Sequence, residues 1–131
     1  MGALRETEDV PLSCLIVDDS EEFQASVSRL LSAQGMTIVG CASSAAQALR
    51  MAESLRPDVA LVDVELGDED GIELAAQLAA SAAATPVILI SIRDQDEVSE
   101  LIRGSPARGF LRKDELGASG IVELLADPLP P

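Results

Sequence analysis

The chain has 131 residues, a length that suits one domain with a full-sized core. Its 23 acids against 9 bases leave a net charge of −14, which argues against gripping nucleic acid or an anionic membrane, since neutralising phosphates takes Lys and Arg. It contains no His, which removes histidine catalysis, His metal ligands and a phosphohistidine relay on this chain.

Residues 1–10 read as a loose, polar lead-in without the character of a signal peptide. LSCLIVD, residues 12–18, is apolar and β-branched, the pattern of an interior parallel strand. Ser20 can cap a helix with Glu21 and Glu22 in its first turn. Phe23, Val27, Leu30 and Leu31 fall on one face of that helix, and Gly35 closes it. MTIVGCA, residues 36–42, is a second strand. Ser43 or Ser44 caps the second helix, with Ala45, Ala48, Leu49, Ala52 and Leu55 inward and Arg56-Pro57 at its close. DVALVD, residues 58–63, is the third strand; the loop ELGDEDG leads into a helix from about Ile72 to Ala80.

Thr85-Pro86 introduces VILIS, residues 87–91, as the fourth strand. Asp94 to Arg103 reads as a thinly apolar helix carrying Val98, Leu101 and Ile102. A turn leads to GFLR, residues 109–112, a short fifth strand ending at Lys113. The last helix, near Leu116 to Ala126, is weakened by Gly117 and Gly120 and stopped by DPLPP. With two Phe and no Tyr or Trp, the core must be aliphatic, and Cys14 and Cys41 read as small core residues. No apolar run approaches the ~20 residues of a membrane span, so a cytoplasmic protein without a membrane partner is expected.

Five repeats of strand then helix predict an α/β fold: a doubly wound, five-stranded parallel sheet with helices on both faces, flavodoxin-like, in the order 2-1-3-4-5. One domain is expected over residues 11–127, with 128–131 a tail or the start of a linker. In this order the first and third strands are neighbours, and ligands bind at the carboxyl ends of such strands. Asp18 and Asp19 follow the first strand and Asp63 ends the third, so their carboxylates converge. Ser91 at the fourth strand and Lys113 after the fifth lie on the adjoining side.

Three carboxylates at one place repel and raise one another's pKa, a conflict that a divalent cation removes. All-oxygen ligands favour Mg²⁺, Mn²⁺ or Ca²⁺ over zinc. Cation, ammonium and hydroxyl grouped around one carboxylate form a receptor for a phosphoryl group arriving on that carboxylate.

IVDD, ALVDVELGDEDG, ILIS and GFLRKD, in this order and spacing, resemble the receiver domain of the two-component response regulators over roughly Leu12 to Ala126. The GFLRKD ending resembles the receivers of the LuxR/NarL type. The resemblance implies a phospho-acceptor at Asp63, phosphorylated by a sensor histidine kinase with Mg²⁺ (or Mn²⁺) as cofactor. It implies metal ligation by Asp19 directly, by Asp18 mainly through water, by Asp63 and by the backbone carbonyl of Glu65. Ser91 resembles the switch hydroxyl, Lys113 the lysine that holds the phosphoryl group, and Phe110 the aromatic that moves inward with Ser91. Further implications are a surface of helix 4, strand 5 and helix 5 that shifts on phosphorylation and can form a homodimer, and DNA contact only through an effector domain outside these residues.

The chain departs from the family at Gly67 and at Asp114, where Pro is usual. Gly67 is expected to loosen its loop, and without Pro a cis bond after Lys113 cannot be assumed. Glu65 and Arg93 lie two residues beyond Asp63 and Ser91; they are either two solvated loop charges or a pair that screens the approach of water to the phosphoryl group. Two other functions share the acids: a Mg²⁺-dependent phosphohydrolase with an aspartyl-phosphate intermediate, for which Glu65 stands at the offset of the second acid, and a degenerate receiver acting as a binding scaffold.

Overall fold

The apolar runs become one parallel sheet. The structure, a computed structural model, describes residues 11–126; the expected lead-in over 1–10 and the tail over 128–131 lie outside the described residues. The strands are β1 (Ser13–Val17), β2 (Thr37–Ala42), β3 (Val59–Asp63), β6 (Val87–Ser91) and β7 (Gly109–Arg112). Between β3 and β6 a two-stranded hairpin forms from β4 (Glu65–Leu66) and β5 (Glu69–Asp70). The helices are α1 (Glu21–Ala33), α2 (Ala45–Leu55), α3 (Gly71–Ala80), α4 (Gln95–Ile102) and α5 (Ala118–Ala126). The sheet order is β2-β1-β3-β6-β7 with every pairing parallel, the expected 2-1-3-4-5 once the hairpin takes two labels of its own.

Side chains alternate across the strands and divide the core into two layers. Leu15, Val17, Ala60, Val62, Val87 and Leu89 pack with Ala48 and Ala52 of α2 and Leu74, Ala75 and Leu78 of α3. On the opposite face Cys14, Ile16, Leu61, Ile88 and Ile90 pack with Val27 and Leu31 of α1 and Ile121 of α5. Two residues expected inward do not go there: Leu30 is 41% and Leu55 43% exposed. Leu30 stands about 100° around α1 from the fully buried Leu31 and so falls on the flank of the buried face, while Leu55 is the last residue of α2, where the flexible Met51 packs over Gly40 beside it.

The helix starts follow their caps. Ser20 Oγ accepts from the Phe23 N–H, Ser44 Oγ from Gln47 N–H, and Asp70 Oδ1 from Ile72 and Glu73 N–H. The weak last helix is started from outside itself: Ala118 N–H donates to Gln34 Oε1 at 2.6 Å. Two local features differ from expectation. The loop after Asp63 is tied into the β4–β5 hairpin, and Gly67 at φ +59° takes the first central position of its two-residue turn, as a type II′ turn demands. Proline, held near φ −65°, cannot adopt that conformation, so Gly67 specifies a different turn rather than a loose one. After β7 the chain enters a 3-10 turn over Lys113–Glu115. No cis peptide bond occurs among the described residues, so Lys113–Asp114 is trans.

Candidate functional site

Register brings the polar strand ends to one edge. Val17 pairs with Val62, so Asp18 and Asp63 come next on adjacent strands at the same level. Ser91 lies one residue beyond the partner of Asp63, and Lys113 one beyond the partner of Ser91. One oxygen from each of Asp18, Asp19 and Asp63 lies within 4.8 Å of the others, an arrangement that could hold a metal ion.

The acids differ in setting. Asp18 is fully buried: its N–H donates to the Ala42 carbonyl at 3.0 Å and its Oδ1 accepts from Ser20 N–H at 2.9 Å. Its Oδ2 lies 2.6 Å from Lys113 Nζ, a buried ion pair. Asp63 is 7% exposed; its Oδ1 accepts from Glu65 N–H at 3.0 Å and its Oδ2 from Lys113 Nζ at 3.1 Å. Asp19 is exposed and faces the solvent side. The ammonium of Lys113 is 4.3 Å from the centroid of the Phe23 ring, a cation–π contact that holds it from below.

Burial pushes the Asp63 carboxyl above its ordinary value of 3.8, and Asp18 adds to this; the Glu65 N–H and Lys113 pull against it without reversing it. Burial works to lower Lys113, but its contacts with Asp18 and Asp63 outweigh that and raise it, so it stays an ammonium. A lysine poised between two buried carboxylates, with an exposed third beside them, answers only part of the negative charge. The donor set is all oxygen, and one oxygen from each of the three acids lies within 4.8 Å of the others, so the residues present fit a hard divalent cation.

The remaining expected residues fall around this centre. Ser91 is buried, and its Oγ accepts from Arg93 N–H at 3.0 Å, leaving its own hydrogen free to donate. Phe110 is half-buried against the core layer that holds Leu89. Glu65 and Arg93 form an exposed ion pair at 2.5 Å. Gly71 is required at the start of α3, because a Cβ there would collide with the Asp63 carbonyl oxygen; the helix can approach β3 only without a side chain.

Three participants are not marked by sequence. Phe23 reads as core filling, yet it also supports Lys113. Gln24 binds the backbone of the acid turn, and nothing in its neighbourhood sets it apart. Arg112 engages Asp114 with Nε at 3.0 Å and Nη2 at 2.6 Å, and Asp94 with Nη1 at 2.6 Å. The two aspartates are close in sequence to Lys113 and Ser91, but their sharing one guanidinium depends on the β6–β7 pairing.

The model of the response regulator receiver domain matches residues 14–125. The nitrate/nitrite response regulator protein NarL of Escherichia coli is 34% identical over 107 residues, which are 79% of this chain and 49% of that protein. A protein-glutamate methylesterase/protein-glutamine glutaminase of Koribacter versatilis is 30% identical over 91% of this chain and 33% of that protein. The chain thus spans about half the length, or less, of these curated relatives. Among solved structures, the receiver domain of the response regulator NarL from Mycobacterium tuberculosis superposes with a TM-score of 0.78 at 30% identity, covering 89% of this chain and 98% of that one. With the fold, the acid cluster and these matches in agreement, the chain belongs to the response regulator receiver domain family of two-component signalling, with relatives of the NarL type.

Proposed function

We propose that the chain is a phospho-acceptor switch: Asp63 takes a phosphoryl group from the phosphohistidine of a sensor histidine kinase, and the surface of α4, β7 and α5 shifts between two populations. The observation that carries this reading is the Lys113 ammonium 3.1 Å from Asp63 Oδ2, with Asp18 on its other side. Asp63 is therefore the carboxylate around which cation, ammonium and hydroxyl can gather.

A carboxylate oxygen of Asp63 attacks phosphorus. The P–N bond to the imidazole breaks with its electron pair left on nitrogen, and an acyl phosphate forms. The proton affinity that burial raises at Asp63 makes its carboxylate a better nucleophile. Lys113 and the Ser91 hydroxyl then bond the phosphoryl oxygens. Asp18, Asp19, Asp63 and the backbone carbonyl of Glu65 would hold Mg²⁺, or Mn²⁺ in its place, which supplies positive charge opposite the phosphoryl oxygens. Drawing Ser91 toward the phosphate moves the β6–α4 loop and lets Phe110 turn inward. Homodimerisation through the α4–β7–α5 face and a cytoplasmic setting go with this reading, as does DNA contact only through an effector domain.

The product stays on the protein, so this is a switch rather than a turnover enzyme. A phosphohydrolase would draw on Glu65 for acid–base work, which the exposed pair with Arg93 disfavours without preventing. With Mg²⁺ and aryl or sugar phosphate monoesters, phosphate release should therefore show no sustained turnover. Steady turnover abolished by Glu65→Gln would establish the hydrolase instead.

A further inference from the structure

Gln24 lies in α1, behind the Asp18-Asp19 turn. Its Nε2 donates to the Asp18 carbonyl at 2.5 Å and sits 3.4 Å from the Ala42 carbonyl and 3.3 Å from Ser43 Oγ. Two carbonyl oxygens can be met only by the NH₂ end of the amide, so its orientation is dictated by its surroundings. One side chain thereby joins the end of β1, the end of β2 and the first helix.

The Asp18 carbonyl and the Asp19 N–H belong to one rigid peptide plane. Holding the carbonyl fixes that plane, and with it the direction in which Asp19 leaves the strand. Asp18 is already pinned through its N–H, its Oδ1 and its Oδ2. Asp19 is exposed, so the backbone that carries it is the part of its direction the fold can set. The amide does this without adding a positive charge that would compete with a cation.

We propose that Gln24 is a positioning residue for the cation site: by clamping the Asp18 carbonyl it aims Asp19 at the ion. The inference rests on the metal-binding reading above. It is tested by titrating Mn²⁺ against the parent, Gln24→Met, Ser43→Ala and Asp19→Asn, following free Mn²⁺ by electron paramagnetic resonance and unfolding temperature in metal-free buffer. Gln24→Met keeps the volume and removes the donors, and should weaken Mn²⁺ binding about tenfold, the low end for an outer-shell partner. Ser43→Ala removes only a side contact of the same amide and should bind as the parent does. If Gln24→Met does not fold, Gln24→Asn, one methylene too short to reach, carries the same expectation. Parent-like affinity in a folded Gln24 variant, or an equal loss in Ser43→Ala, overturns the proposal while leaving the cation site standing. A parent that binds no Mn²⁺, or an Asp19→Asn that binds it equally well, overturns the metal reading and the role of Gln24 with it.

Discussion

At the scale of single residues, Asp63 is held in a setting that costs stability. Its folded-state pKa is raised by burial, so above the ordinary value of 3.8 the folded chain binds more protons at this position than the unfolded chain. Stability from this group therefore falls as pH rises through the interval. Asn imitates the protonated acid, so Asp63→Asn should stabilise the protein at neutral pH, with a gain that fades as pH drops toward the carboxylate range. Urea unfolding followed by circular dichroism across pH checks this; a substitution that destabilises at neutral pH contradicts it. The Glu65–Arg93 pair belongs to the same scale. Both side chains are substantially exposed, and such a pair is worth about 1 kcal/mol or less, which bounds its effect on a rate at about fivefold. Glu65→Ala and Arg93→Ala should each speed loss of phosphate from Asp63 within that bound, and to similar extents. Unchanged dephosphorylation in both variants would dispose of the shielding role.

Among elements, the loop from Ser91 to Asp94 is tied on two sides. Arg93 reaches Glu65 on β4, while Asp94, the N-cap of α4, is held by Arg112 from β7. Arg112 also grips Asp114 with two parallel bonds, so the turn carrying Lys113 and the start of α4 share one guanidinium. The residue in place of the usual Pro thus has a partner of its own. If this latch restrains the loop from Ser91 to Asp94, Arg112→Ala should quicken amide exchange in the first turn of α4 while β1 and β3 keep their protection. Unchanged exchange in α4 would mean the latch restrains nothing. Most of this scale was legible from local chemistry: Ser20 announces α1, Arg56-Pro57 closes α2, and the apolar runs mark the strands. The β4–β5 hairpin was not, because its strands have two residues each and carry no periodicity; only the positive φ of Gly67 distinguishes it. The 3-10 turn after Arg112 was hidden for the same reason.

For the whole molecule, the order of the sheet followed from alternation of strand and helix, since parallel strands need a helix between them and buried strands read as unbroken apolar runs. That order alone set Asp18, Asp19 and Asp63 side by side, with Ser91 and Lys113 adjoining. Sequence did not disclose how charge is balanced within the cluster. Lys113 touches Asp18 as well as Asp63 and rests on Phe23, and these contacts depend on rotamers and on α1 lying against the turn after β7. Nor did it single out Gln24, whose partners are backbone oxygens from segments distant in sequence. Asp63 as the target of phosphoryl transfer is tested most directly by the mass of the intact protein after incubation with acetyl phosphate and Mg²⁺. The expected result is an added phosphoryl group on the parent, absent from Asp63→Asn and lost when the metal is chelated. An adduct of the same mass on Asp63→Asn, or none on the parent under any condition, would contradict it.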